Sequence, residues 1–554
     1  MKKFKGITMM AIVLAMGVLA ACKGSPGSDN ATQAAVQKPV EEKETGETGR
    51  TSGANGVQRR KIIVDYSRLN LNPMAQKSAD SATYEIYEML FALEDGIGSP
   101  MVPVLADGER GAYGGYDHEA GSGVYTFYIQ DNIYDHAGNH LTASDVVFSF
   151  EKTLEYGNTS GWSIIEGWEA VDDTTVRMNC SRELTQKGEM ENIVLRCFMF
   201  TEAGYQASPT QFASDECGTG PYYLTEFVDG SSITLKKYDD FWQKDEDKLQ
   251  RIQWANVDEI VQMKITENSQ RVIALTTGTT DVCTQLPSEY ASQFIEGGMY
   301  SSEYTAYPAA VNGVYYLEAN VSEGKIGSDI NFRKAVMYAV SGEAIVNGLE
   351  NPANMVDVAL GCNTFSDYNP QWSSWDNYNT NANMDTAKEY LEKSSYGGEN
   401  VTILGLSSNN DHCVLIQSIL NQIGVNCELR LVDTTMLTTT LADPASWDLV
   451  FNISKSSDYN SSIWSHLMNK DSFSNGGTEG FYVNDEYQQL LQNAMVVDAT
   501  MADQDAFWQY TVDQGLAKGL YSSAYLFTYK NNMMDGLFFN DKVQLMPGAC
   551  TYLN

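Results

Sequence analysis

Gly123-Val-Tyr-Thr-Phe-Tyr-Ile-Gln-Asp-Asn-Ile-Tyr-Asp-His-Ala-Gly-Asn-His-Leu-Thr-Ala-Ser-Asp-Val-Val-Phe-Ser-Phe150 is the stretch around which the chain is organised. Val124, Thr126, Tyr128 and Gln130 alternate with Tyr125, Phe127 and Ile129. A period of two in β-branched and aromatic residues predicts a strand. His136-Ala-Gly138-Asn139 predicts a turn. Thr142 followed by Asp145 has the spacing of a capping box, which satisfies the first free amides of a helix. Val146, Val147, Phe150 and Leu154 then recur at helical spacing. Taken alone, the stretch is a strand feeding a helix.

The same alternation continues on both sides. Before it come a short apolar strand, Arg60 to Tyr66, the turn Leu71-Asn72-Pro73, a helix-like Tyr84 to Phe91, and Gly98 to Ala106. After it, Trp168 to Met178 predicts a hairpin turning at Asp172-Asp173. Cys217-Gly-Thr-Gly-Pro-Tyr-Tyr-Leu224 and Ser231 to Trp242 follow. The Gly-Thr-Gly-Pro run lacks the lysine and the strand-to-helix order of a phosphate-binding loop. Val257 to Ile265 and Gln270 to Cys283 predict strand, helix, strand, and such alternation implies partly parallel sheets with flanking helices. A strand at Val314–Asn320 leads to an apolar helical stripe through Phe332, Ala335, Val336, Ala339 and Val340. Asp329 and Arg333 are expected to start that helix and to form a structural ion pair. Further on come a helix capped by Asp385, a strand at Val401–Leu406 and a helix at Val414–Ile423. Strands at Asn426–Val432 and Trp447–Ser454 follow. A helix from Met501 to Ala517 precedes a last strand at Ala524–Tyr529.

These segments, in this order, resemble the large peptide-type solute-binding proteins of ABC importers, the oligopeptide/dipeptide-binding family. The resemblance covers about residues 60 to 530. It implies an α/β, two-lobed periplasmic-binding-protein-like fold of class II, the large peptide-binding type with an extra subdomain. The expected division is lobe I over 60–310, including the extra subdomain at about 86–199, lobe II over 311–495, and a C-terminal segment, 496–554, returning to lobe I. Asn72 stands where the family has Asp, and Ser341-Gly342 replaces its Asp-Arg/Lys ending.

The N-terminus gives an address. Lys2, Lys3 and Lys5 precede an apolar run, Ile7 to Ala20, of signal-peptide length and short for a membrane span. Leu19-Ala20-Ala21-Cys22 resembles the lipobox of a bacterial lipoprotein, which implies a signal peptide over 1–21 and lipid on Cys22. Residues 22–59 are rich in Gly, Ser, Thr, Ala and Glu and read as a tether that cannot fold alone. The expected location is extracytoplasmic, at the membrane.

With 554 residues, two or three domains are expected. A formal charge of −36 argues against nucleic acid and anionic lipid headgroups as partners. Beyond Cys22, eight cysteines are scattered without a CxxC, so disulfides and buried thiols both remain open. His136-x3-His140 has zinc-like spacing but straddles a turn. No Gly-x-Ser-x-Gly elbow occurs. The sequence therefore gives no reason to expect an enzyme, a cofactor or a metal.

In the family, ligand lies between two lobes joined by two crossing strands, and peptide backbones are held largely by main-chain groups. Dipeptide binders also use an Asp after a late strand and an Arg before a helix. The corresponding loops here are Ser454-Lys-Ser-Ser-Asp-Tyr459 and Ser407-Ser-Asn-Asn-Asp411. The second has no Arg, Asp458 stands about two positions late, and Lys455 replaces a small residue. This points away from a free dipeptide, towards longer peptides or neutral polar ligands such as oligosaccharides. The expected ligand contacts are Tyr66, Ser67, Ser408, Asn409, Asn410, Asp458 and Tyr459. The implied protein is a monomeric receptor that closes on a peptide and delivers it to a permease, with an oligosaccharide receptor and a sensor without transport as alternatives.

Overall fold

The computed structural model describes residues 58–75, 79–157, 162–349, 363, 365–375, 382–455, 459–461, 464, 469 and 484–553. Cys22, Cys362, Asp458 and the N-terminal segments lie outside them. The strands in chain order are β1 Arg59–Tyr66, β2 Phe91–Leu93, β3 Met101–Pro103, β4 Tyr116–His118, β5 Val124–Tyr128, β6 Ile165–Asp172 and β7 Thr175–Cys180. They continue with β8 Tyr222–Val228, β9 Ser232–Lys237, β10 Val257–Lys264, β11 Val282–Cys283, β12 Tyr304–Ala319 and β13 Val401–Leu406. The last are β14 Cys427–Val432, β15 Leu449–Lys455, β16 Ala517–Lys530, β17 Met534–Gly536 and β18 Thr551–Tyr552.

Ten strands form one hydrogen-bonded series, β14-β13-β15-β12-β16-β11-β1-β10-β9-β8. Two of them, β12 and β16, tie it together. They pair antiparallel from Tyr304↔Lys530 to Glu318↔Ala517, with an irregularity between Ala310 and Val314. Outer neighbours join this ribbon only near its ends. β15 pairs with β12 over Gly313–Ala319, and β11 pairs with β16 at Thr528 and Tyr529. Pro308 lies in the stretch of β12 with no neighbour on its second side, where a missing N–H is tolerated.

The cores change hands along the ribbon. Ala309, Phe527 and Tyr529 belong to a core with Ile62, Val64, Phe127 and Leu235. Val314, Tyr316 and Ala517 belong to a core with Trp372, Trp447 and Trp508. Leu317, Leu520 and Tyr521 face the helix Ile330–Ala339 through Phe332 and Val336. The fold is a two-lobed α/β architecture whose lobes share two strands.

The organising stretch folds as its pattern predicts. β5 lies centrally in the sheet β4-β5-β7-β6, and the helix Ala143–Glu155 follows the turn. The Asp145 carboxylate accepts from the Thr142 amide at 2.8 Å, and Phe150 stacks on Trp168 with ring centroids 3.7 Å apart. The glycines at 218 and 220 serve close packing. A Cβ on Gly218 would lie 2.0 Å from the Ile86 carbonyl oxygen, and the Gly220 amide donates to that oxygen at 2.8 Å.

The same contact corrects the helix expected over Tyr84–Phe91. The helix runs Ser81–Ile86, capped by Asp80. Beyond it the carbonyls of Ile86 and Glu88 accept from Gly220 and Met199, and Phe91 enters a strand opposite Pro103. Two other local expectations change. Asn383, not Asp385, caps the helix Met384–Lys393, accepting from the Thr386 amide. Asp329 does cap its helix, but Arg333 donates to the carbonyls of Gly327, Ser328 and Gln514 rather than pairing with it. The strands predicted at Val314–Asn320 and Ala524–Tyr529 are longer than their patterns indicate, running Tyr304–Ala319 and Ala517–Lys530.

One buried ion pair fixes the end of β1. The Arg271 Nε donates to the Asp65 carboxylate at 2.6 Å, with side-chain exposures of 6% and 0%. Asp65 also accepts from the Thr284 amide at 2.6 Å, which ties β1 to the residue after β11. Arg271→Met leaves Asp65 buried without its partner. It should cost about 3–5 kcal/mol in urea unfolding, more than the double replacement of both residues by apolar ones.

Candidate functional site

Strand direction locates the site. β1 is parallel to β11, and β11 runs antiparallel to β16, so both first-lobe strands end towards the crossing. β15 runs back along β12 from Ala319 to Gly313, and β13 is parallel to β15. The carboxyl ends of β1, β11, β13 and β15 therefore converge from two lobes on the same stretch of ribbon. Open α/β sheets bind ligands beyond the carboxyl ends of their strands.

Tyr66 and Ser67 follow this rule. They line a cavity of about 80 Å³ with Arg68, Asp80, Thr284 and Gln544. The buried Tyr66 hydroxyl donates to the Leu545 carbonyl at 3.0 Å and accepts from Ser81 at 2.5 Å, and burial pushes its ionisation well up. Ser408, Asn409 and Asn410 follow β13 in the short turn Ser407–Asn409 and the first residue of the helix Asn410–Ile423. Ser408 and Asn410 are exposed, whereas Asn409 is buried with its Nδ2 unbonded among the described groups. His412, one turn on, stacks on Tyr315 and Tyr521 of the ribbon at 5.4 and 6.0 Å.

Tyr459 belongs to a larger cleft of about 710 Å³. One wall is formed by residues between Met101 and Glu191, the other by Asp367, Tyr459 and the segment Val496–Gln504. The walls touch. Gln186 and Val496 form an antiparallel bridge, with the Lys187 amide donating to Met495 and the Val497 amide to Thr185, each at 2.8 Å. The Tyr459 hydroxyl donates to the Glu191 carboxylate at 3.1 Å. The seven expected contacts thus do not share one described cavity. Tyr66 and Ser67 share one, Tyr459 lines another, and Asp458 lies outside the described residues.

Sequence reasoning missed Tyr113, Tyr116, Glu191, Asp367 and Gln504 of the larger cleft. The aromatic pair among the glycines at 111, 114 and 115 was a usable signal. The pairing of Gln186 with Val496, far apart in the chain, left none. The imidazoles of the zinc-like pair are otherwise engaged: His136 bonds to Glu216 and the Gly220 carbonyl, and His140 to the Asp131 carbonyl. The described cysteines, 180, 197, 217, 283, 413, 427 and 550, are free thiols. No described helix is long and apolar enough to cross a membrane.

Residues 101–475 match the family model of bacterial extracellular solute-binding proteins, family 5. The chain belongs to this family. It is 27% identical over 300 residues to the oligopeptide-binding protein OppA of Bacillus subtilis, covering 49% of this chain and 51% of that protein. It is 26% identical over 406 residues to the dipeptide-binding protein DppE of the same organism, covering 67% and 70%. The match thus spans about half the length of OppA. HbpA2 from Haemophilus parasuis superposes with a TM-score of 0.73 at 17% identity, over 89% of this chain and 100% of that one. The family-5 architecture expected from the sequence is the one observed.

Buried acids lie on and just beyond the helix Ser81–Ile86, and one of them, Asp80, also lines the small cavity. Burial pushes the carboxyls of Asp80 and Glu88 up to about 7 and that of Glu85 up to about 8. In an unfolded chain they titrate near ~4. Between these values the folded state holds protons that the unfolded chain has released, so stability falls as pH rises from about 4 to about 8. The buried Lys518, pushed down to about 7, contributes in the opposite sense only above that pH. The melting temperature should be higher at pH 5 than at pH 7. Asp80→Asn, which keeps a capping oxygen, should make the fall shallower.

Proposed function

We propose that this family-5 protein is the extracytoplasmic receptor of an ABC importer, capturing a peptide between its lobes and delivering it to a membrane permease. The observation that supports this best is the convergence of four strand ends from two lobes on a shared ribbon. Such a site is complete only when the lobes approach. A ligand touching both favours the closed state by the difference in its affinity for the two states. The relatives named for oligopeptide and dipeptide binding point to the same ligand class.

In this reading the lobes meet between Ala309 and Val314 on β12 and between Tyr521 and Ala524 on β16. The C-terminal return to lobe I then begins after Tyr521, because Phe507, Trp508 and Leu516 pack with Trp372. Lipid on Cys22 and the tether over 22–59 would hold the receptor, as a monomer, near its permease. Peptide length exceeds two residues, since the loop after β13 carries no Arg to take a dipeptide carboxylate. A second reading, an oligosaccharide ligand, is favoured by Tyr113. It is 57% exposed and stacks on Tyr116 with centroids 5.1 Å apart, a flat platform in the larger cleft.

Native mass spectrometry of protein purified without added ligand, followed by denaturation, decides between them. The expected release is a ladder of peptides of three residues or more. Released sugar, or an empty protein stabilised thermally by oligosaccharides and by no peptide pool, would overturn the peptide reading.

A further inference from the structure

We infer that the small cavity at the ends of β1 and β11 receives a carboxylate of the bound peptide, held by the guanidinium of Arg68. This rests on the peptide reading above and adds a specificity-determining residue in the first lobe.

Arg68 follows Tyr66 and Ser67 beyond β1, and lines the cavity with Gln285, the second residue after β11. Ser67, Arg68 and Gln285 are exposed, and among the described residues their side chains form no hydrogen bond or ion pair. Their buried neighbours are already engaged. The Thr284 hydroxyl donates to the Asp65 carbonyl at 2.8 Å, and the Tyr66 hydroxyl is bonded on both sides. The Gln544 Nε2 donates to the Ala79 carbonyl at 3.1 Å. The turn over 540–544 is fixed from within, because the Asn540 Oδ1 accepts the amides of Lys542 and Gln544. The cavity thus has rigid walls and three unengaged polar side chains, one of them a cation, at the carboxyl ends of two strands. That is where open α/β sheets bind ligands.

The charge selects the occupant. Acids outnumber lysine and arginine two to one in this chain, 72 against 36, yet Arg68 has no ion pair among the described residues. Asp80 is the acid on the same cavity. Its buried carboxyl accepts the amides of Asn70 and Ala82, and burial pushes its ionisation up to about 7. Its oxygens are thus turned to the backbone rather than to Arg68. In the adjoining turn, burial and then the charges of Arg196 and Arg68 push the Lys542 ammonium down to about 8. A second cation near Arg68 favours an anion there and repels an ammonium. The guanidinium is a planar fork of donors that matches the two oxygens of a carboxylate. Ser67 and Gln285 supply further donors. At roughly 10–15 Å³ for each water-sized group, the cavity of about 80 Å³ holds about five to eight of them. That is room for a carboxylate and the carbons that carry it, and too little for a whole peptide. The loop after β13 carries no Arg, so Arg68 supplies from the first lobe the anchor that the second lacks there.

Titration calorimetry of the full-length protein in detergent tests this. The probes are trialanine and Ala-Ser-Ala-Ser-Ala, each as the free acid and as the C-terminal amide, and Ala-Glu-Ala amide. Each free acid should bind at least tenfold tighter than its amide, and the difference should shrink as salt is raised. Arg68→Met should reduce the acid-to-amide ratio at least fivefold while leaving the affinity for the amides within twofold. A merely structural role would weaken acid and amide alike, and melting curves report that the variant is folded. Ala-Glu-Ala amide binding tenfold tighter than trialanine amide, with the tightening lost in Arg68→Met, would assign the cavity to an acidic side chain and support the inference by its second source. Equal binding of all acids and amides would overturn this inference and leave the peptide reading intact. A carboxylate preference untouched in folded Arg68→Met would overturn the assignment to this cavity. Binding of no peptide would overturn both.

Discussion

Everything in this molecule depends on a two-stranded ribbon that belongs to two cores. β12 and β16 contribute Ala309 and Phe527 to one lobe, and Leu317 and Leu520 to the other. Neither lobe can be completed without both strands. The middle of the ribbon carries a register shift after Ala310, and β12 has no neighbour on its second side until β15 joins at Gly313. Two-stranded ribbons twist more freely than sheets with several neighbours. The stiff parts of the ribbon are thus buried in the lobes, and the compliant part lies between them, where a change of angle disturbs the fewest hydrogen bonds.

The ribbon also explains where the loops are. A strand running beside β12 or β16 inside a lobe must end either at the outer surface or at the crossing. β1, β11, β13 and β15 all end at the crossing. Their following loops need rigid supports, and the first lobe supplies one with the Asp65–Arg271 pair and its bonds to Thr284. The buried pair adds little net stability compared with apolar packing. What it adds is a fixed orientation for Tyr66 and Ser67 relative to the residues after β11.

Much of this was legible from residue patterns. The strand Val124–Tyr128, the helix after Thr142 and the hairpin at Asp172-Asp173 follow from periodicity and turn chemistry alone, because their neighbours are local in sequence. The ribbon was only half legible. Pro308, Ala309 and Ala310 give no strand signal, and they extend because β16 pairs with them from more than two hundred residues away. The helix through Phe91 failed for the same reason, its carbonyls being taken by Gly220 and Met199. The candidate site was legible as loops and not as contacts. Tyr66 and Tyr459 are candidates by their position after strands, whereas Gln504 is one polar residue on a helix facing inward, indistinguishable by spacing from its solvent-exposed neighbours.

The contact between the lobes beyond the ribbon bears on how capture works. Among the described residues it includes two backbone hydrogen bonds between 185–187 and 495–497, one from Tyr459 to Glu191, and the Lys187 ammonium 6.0 Å from the Tyr459 ring. Each hydrogen bond is worth about 0.5–1.5 kcal/mol net, with a charged acceptor towards the upper end. These hydrogen bonds together are worth a few kcal/mol, set against the lost freedom of the two lobes. A contact of that size holds the walls of the larger cleft near one another without locking them. A ligand whose contacts on both walls exceed it by a similar amount shifts the balance decisively, since about 1.4 kcal/mol changes a population ratio tenfold. In the proposed receptor, the weakness of this bridge would leave the ligand in control of closure.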